Sequence, residues 1–276
     1  MDKLYFVTAG QPICNGNAGY ENSFKILEKL NLDGMELEFV HGVRMTDANQ
    51  KLVKEISTAK NMALTAHGPY YINLNSKEDE KIEASIKRVL DTARMGKALG
   101  AYSITFHAAF YMGMNENEVF KKVETSMQEI CSVLEKENND IWVRPETTGK
   151  PTQWGNLEEI VKLSKNFKQV LPCVDFSHLH ARTNGLYNTY DEFCKIFDYI
   201  GKELGKEALD NFHAHIAGIE YSVKGEKKHL MLKESDMNYK DLMKTFKAFD
   251  VKGVVVCESP IMEEDAVLLK EYYNSL

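Results

Sequence analysis

The chain has no run of apolar residues long enough to span a bilayer. Its first residues, MDKLYFVTAGQPICNG, turn polar after Thr8, too early for a signal peptide. The five cysteines, Cys14, Cys131, Cys173, Cys194 and Cys257, are odd in number, scattered and free of any C-x-x-C pair. That pattern speaks against a disulfide framework and points to a reduced protein, expected in the cytoplasm. Basic residues are not in excess: the net charge is -7, which argues against broad electrostatic binding of nucleic acid. Two or three bound divalent cations would offset this locally by about four to six charges. No low-complexity stretch, linker or charge block divides the chain, so one domain over residues 1–276 is expected. A G-x-G-x-x-G loop is also missing: TAGQPICNGNAGY has glycines at other spacings, which weighs against a doubly wound nucleotide-binding sheet.

What the chain does have is alternation. Short β-rich runs fall at 4–8, 34–39, 63–67, 102–107, 141–146, 171–175, 211–216 and 253–258. Amphipathic helical patterns fall at 22–30, 47–60, 77–98, 116–137, 156–166, 189–203, 236–249 and 263–275. Asn156 ahead of LEEIVKL, and Asn75-Ser76 ahead of KEDEKIEASIKRVL, read as helix starts with acids in the first turn. Gly100 reads as a helix stop. Strands and helices in strict alternation over 276 residues predict an α/β fold, a (β/α)8 TIM barrel.

The ends of the strands carry the chemistry. LPCVDFSHLH delivers Asp175 and His178 just past a short apolar run. ALTAH ends at His67, YSITFH at His107, IWVRPE at Glu146 and GVVVCE at Glu258, while NFHAHIA carries His213 and His215. Each residue alone has a plain structural explanation. His67 could hydrogen-bond in a turn, and His107 could be a satisfied core histidine. Glu146 could pair with Arg144 or Lys150, and Glu258 could cap the next segment. Together they would crowd one barrel mouth with polar groups lacking a shared partner, at a cost of roughly several kcal/mol per unpaired charge. A divalent metal removes that cost, because it takes deprotonated carboxylates and neutral imidazoles. The donors are nitrogen and oxygen, which suits zinc, manganese, iron or cobalt. A single catalytic zinc takes about three protein ligands. The longer set here implies two ions or more, an arrangement suited to in-line displacement at phosphorus.

In order and spacing, HGPYYINL, ITFH, PET, VDFSH, AHIAG and VCESP resemble the endonuclease IV family, trinuclear-zinc barrels that incise DNA at abasic sites. The resemblance covers most of the chain from about His67 to Pro260. It implies that His67 and His107 hold a first metal and that Glu146 bridges to a second. Asp175, His215 and Glu258 complete the second. His178 and His229 would hold a third. The family carries an aspartate two residues before that last histidine; here Lys227 stands there, and Glu226, one place further away, is the expected substitute. Tyr70 and Tyr71 occupy the place of the family's lesion-wedge residues, and Arg44 of FVHGVRM matches a DNA contact loosely. The resemblance thus implies a monomeric hydrolase, with two or three Zn2+ ions or another divalent metal such as Mn2+. It would cleave double-stranded DNA 5′ to abasic sites, with Glu146, Asp175 and Glu258 at the reacting centre. Two rivals remain open: a metal-dependent sugar isomerase or epimerase on the same barrel, favoured by the acidic charge, and a non-catalytic nucleic-acid-binding member.

Overall fold

In GMELE, ALTAH, SITF and FHAHI polar side chains alternate with apolar ones, and successive strand residues face opposite sides, so the polar set shares one face. The structure, a computed structural model, describes residues 1–16 and 18–276. Strands β1 (Leu4–Ala9), β2 (Gly34–Glu38), β3 (Ala63–His67), β4 (Ser103–Phe106), β5 (Trp142–Pro145), β6 (Val174–Asp175), β7 (Phe212–Ile216) and β8 (Gly253–Cys257) form one parallel sheet. Their order is β5-β4-β3-β2-β1-β8-β7-β6. Bridges from Val143 to Val170 and from Glu146 to Cys173 join its two edges and close the barrel. Outside lie helices Tyr20–Lys29, Asp47–Lys60, Asp79–Leu99, Glu116–Lys136, Leu157–Ser164, Tyr190–Leu204, Tyr239–Ala248 and Met262–Ser275. No helix among the described residues is long and apolar enough to cross a membrane.

Every expected strand and helix forms, with instructive differences at the ends. The run expected at 171–175 is only two residues of regular strand, because Pro172 has no N–H to give the ladder. Its carbonyl instead accepts a hydrogen bond from Arg144 Nη1 at 3.0 Å. The helix expected from residue 77 starts at Asp79, after Glu78, and Asn75-Ser76 does not cap it. Asn75 Nδ2 is spent on the carbonyl of Phe110 at 2.8 Å. Asn156 does cap its helix, in a reciprocal box with Glu159. Gly100 closes its helix in the left-handed conformation.

Three features above the barrel were not foreseen: a hairpin of Gly218–Ser222 with Gly225–Leu230, a short pairing of Ala109–Phe110 with Gln153–Trp154, and a helix, Phe176–Arg182. The hairpin folds down onto the loop after β5. Gly225, at φ 88°, permits this, because a Cβ there would meet the Gly149 carbonyl oxygen at 2.3 Å. Behind β6 and β7, Phe176, Phe193, Phe197, Phe212 and Phe246 are buried in mutual ring contact. Burial of each contributes roughly 1.5–3 kcal/mol. The cluster anchors the strands that present Asp175 and His215.

The barrel interior is graded from bottom to top. Tyr5, Val7, Ala63, Val254 and Val256 form an apolar cluster in its lower part. Buried Arg144 donates through Nη2 to the Asn211 carbonyl and side-chain oxygens at 2.7 and 3.0 Å. At the C-terminal ends of the strands, polar residues take over.

Candidate metal centre

Glu146 follows β5 directly, buried at the mouth, with imidazoles around it. His67 Nε2 lies 3.2 Å from Glu146 Oε2, His107 Nε2 lies 3.0 Å from Oε1, and His178 Nδ1 lies 3.1 Å from Oε1. Neither Arg144 nor Lys150 pairs with it among the described residues. The geometry gathers three overlapping sets of ligand atoms at the mouth: His67, His107 and Glu146; Glu146, Asp175, His215 and Glu258; and Asp175, His178 and His229; a fourth set, Cys173, His213 and His215, includes the layer below. Within each set the atoms lie within 4.8 Å of one another. Glu146 and Asp175 each belong to two sets, as carboxylates shared between neighbouring ions would.

Local structure explains why these atoms point inward. Asp175 is the N-cap of helix Phe176–Arg182: its Oδ1 accepts from the His178 N–H at 2.7 Å. That leaves Oδ2, which is buried and has no hydrogen-bond partner. The histidines are oriented by what holds their other nitrogen. His67 Nδ1 donates to the Gly68 carbonyl at 2.7 Å and His178 Nδ1 to that of Thr147 at 3.0 Å. His229 Nδ1 donates to the Glu258 carbonyl at 3.2 Å, leaving its Nε2 buried and partnerless. A carbonyl only accepts, so Nδ1 donates to it in each, and Nε2 is the nitrogen turned toward the site. His215 is turned the other way. Its Nδ1 lies 3.3 Å from Glu258 Oε1, and its Nε2 lies 3.0 Å from Glu36 Oε1. Buried atoms left without hydrogen bonds cost roughly 1–3 kcal/mol each. Asp175 Oδ2, His215 Nδ1 and His229 Nε2 are such atoms, and all belong to these sets. The donor chemistry and the unspent atoms fit a divalent metal centre.

The electrostatics agree. Burial alone would push Glu146 up, but His107 and His215 hold it well below the usual carboxylate range. His215 likewise brings Glu258 down to about 2 against burial. Burial, assisted by Glu258 and Glu146 and opposed by His178, pushes Asp175 up to about 6. Against burial, Glu146 raises His67 to about 10.

Other expected residues fall as follows. Glu226 Oε2 is 3.6 Å from His178 Nε2, at the edge of the third set. Lys227 points away and pairs with Glu220 at 3.1 Å. Tyr70 and Tyr71 stand at the rim, 60% and 65% exposed. The Tyr70 ring lies edge-on to His67. Arg44 lies apart, in an open groove with Tyr20, Met45 and Met95. His213 sits one layer below His215, with Nδ1 2.9 Å from Ser103 Oγ and Nε2 3.2 Å from Glu36 Oε2. Burial lowers it to about 4, so it stays neutral. His180 is satisfied by the Leu186 carbonyl and Asp236.

Two residues of the site, Glu36 and Glu38, escaped the sequence reading. Their signal was present: in GMELEF they alternate with Met35 and Leu37, so they face the barrel interior.

The chain is 44% identical to an uncharacterized protein of Methanocaldococcus jannaschii, over 99% of this chain and 98% of the other. It is 25% identical to a probable endonuclease 4 of Aquifex aeolicus over 61% of this chain and 60% of the relative. In fold it is similar to a D-tagatose 3-epimerase-like protein, with a TM-score of 0.75 at 18% identity over 98% and 96% of the two chains. It is similar also to endonuclease IV from Thermus thermophilus, with a TM-score of 0.73 at 16% identity over 100% of both. The model of the xylose isomerase-like TIM barrel family matches residues 24–272, and the chain belongs to that family.

Proposed function

We propose that this chain is a metal-dependent phosphodiesterase of the endonuclease IV type, cleaving double-stranded DNA on the 5′ side of abasic sites. The observation that carries the reading is the set of three overlapping ligand clusters around Glu146 and Asp175, rich in imidazole and large enough for two or three ions. His67, His107 and Glu146 would hold one ion, and Glu146, Asp175, His215 and Glu258 a second. Asp175, His178 and His229 would hold a third, with Glu226 at the edge of that set. Zinc, or another divalent ion, would supply an activated water and a Lewis acid for the phosphodiester. Glu146, Asp175 and Glu258 place the reacting groups. Tyr70 and Tyr71, exposed at the rim beside His67, are suited to fill the space left by a missing base. A metal-loaded sample offered an abasic duplex should cut it, leaving a 3′-hydroxyl, and should spare intact duplex.

A sugar epimerase is the second reading, and one observation favours it. Glu38 opens to solvent at the same mouth and pairs with no lysine or arginine among the described residues. A spare carboxyl repels phosphate when ionised and suits a polyhydroxyl ligand. Interconversion of a ketose by the loaded protein, with no incision of the abasic duplex, would overturn the nuclease reading.

A further inference from the structure

We propose that Glu36 is a positioning residue for the metal centre: from below, it fixes the His215 ring so that Nδ1 faces the ions. The inference rests on the mouth being a metal centre, whichever substrate it serves.

Glu36 is wholly buried near the middle of β2, with no lysine or arginine pairing with it among the described residues. Its contacts are all proton donors. Thr65 Oγ1 donates to Oε2 at 2.7 Å. His213 Nε2 lies 3.2 Å from Oε2 and His215 Nε2 lies 3.0 Å from Oε1. An ionised carboxylate only accepts, so it demands a proton on each of these nitrogens. For His215 that demand leaves the lone pair on Nδ1, the atom nearest Glu258. The two imidazole contacts are close but not aligned as hydrogen bonds, and His215 Nε2 and Glu36 Oε1 have no other partner. A small turn of the His215 ring as Nδ1 engages a cation would align its own contact with Glu36.

His215 is thereby unlike its companions. His67 and His229 lean on backbone carbonyls, and His178 on the Thr147 carbonyl with Glu146 and Asp175 beside it, whereas the outer nitrogen of His215 faces the Glu36 carboxylate alone. An anionic partner raises the basicity of a ligating imidazole and fixes its tautomer, and its loss typically costs about 10- to 100-fold in metal affinity. Below Glu36, His213 continues the chain to Ser103, whose hydroxyl can either donate or accept. His213 can therefore change tautomer at little cost, while His215 cannot.

That asymmetry sets the test. Zinc affinity is measured by competition with a chromophoric chelator, well below each protein's melting temperature, for the unmodified chain, Glu36→Met and Glu36→Gln. Glu36→Met should bind its weakest ion about 10- to 100-fold less tightly. Glu36→Gln should recover part of the loss, because its amide oxygen still accepts from His215 once His213 turns its proton to Ser103. Nitrogen-15 NMR of histidine-labelled, zinc-loaded protein should place the His215 proton on Nε2. A proton on Nδ1 overturns the proposal, as does equal zinc affinity in all three proteins. Equal losses in both variants, with the metal-free melting temperature lowered in both, would make Glu36 a prop of the fold and equally overturn it. If Glu36→Met does not fold, Glu36→Gln and the NMR assignment carry the test. If the unmodified chain binds no zinc, the metal-centre reading itself has failed, and the variants are not at issue.

Discussion

The lower barrel interior and the mouth are built from the same eight strands, yet they treat polar groups in opposite ways. In the lower part, Arg144 directs its terminal nitrogens at the Pro172 and Asn211 carbonyls and the Asn211 side chain, with its guanidinium over the Tyr102 and Trp142 rings, and its Nε alone lacks a partner among the described residues. At the mouth, Asp175 Oδ2, His215 Nδ1 and His229 Nε2 remain buried and unspent. One residue, Ala214, separates His213 from His215 on β7, but burial lowers His213 to about 4, while Cys173 and the carboxylates of Glu258, Glu36 and Glu146 hold His215 well above its usual value against the same burial. The contrast separates polarity that supports the fold from polarity held ready for a ligand.

The strongest break of this contrast is Glu146→Gln. The amide nearly matches the side chain in shape but cannot hold two cations. Incision of an abasic duplex should fall by more than the roughly 10- to 100-fold expected for losing a ligand's hydrogen-bonding partner. Thermal melting of the metal-free variant should stay near that of the parent. Near-normal incision would remove Glu146 from its bridging place.

The hairpin sharpens the contrast next. Glu226→Ala should lower the zinc content by about one ion per chain, counted by elemental analysis, because Glu226 reaches toward His178. Lys227→Ala should leave the count unchanged, since Lys227 pairs outward with Glu220. The reverse pattern would return Lys227 to the site.

At the rim, Tyr71→Ala should weaken binding to an abasic duplex by about 1–3 kcal/mol, the scale of one stacking contact, without changing metal content. Gel-shift titration on abasic and intact duplexes measures this; equal affinity of the parent for both duplexes would leave the wedge without a role.

The smallest effect belongs to the layer below. His213 has a folded pKa of about 4, below the ordinary histidine value of 6.5. Its contribution to stability is therefore full above about pH 6.5 and is lost as the pH falls toward 4, where the unfolded chain binds the extra proton. Denaturant melts of the metal-free protein across that window should show a shallower pH slope in His213→Gln. An unchanged slope would mean that His213 already carries its proton in the fold.

The alternation of runs and helices made the barrel legible, and strand-end His, Asp and Glu residues marked the mouth. Residue type and spacing alone did not rank His213 against His215, because both share one face of β7 and both approach Glu36; it is the closeness of His215 to Glu258 that separates them. Glu36 was passed over because a carboxylate inside a strand looks solvent-facing until the barrel closes around it. The turn of Lys227 away from the site depends on the hairpin register, including the bulge at Glu220 and Tyr221, which no local pattern announces. The failed cap at Asn75-Ser76 has a similar cause: Asn75 bonds to a loop 35 residues away.

The central claim is that the mouth is a centre for several metal ions, with protons standing in for them in their absence. Calorimetric titration of metal-free protein with zinc at neutral pH, repeated in buffers of different ionisation heat, tests it directly. Two or more ions should bind per chain, with release of protons, because His67 at about 10 is protonated before the metal arrives and must be neutral to ligate. Binding of one ion or none, or binding without proton release, would contradict it.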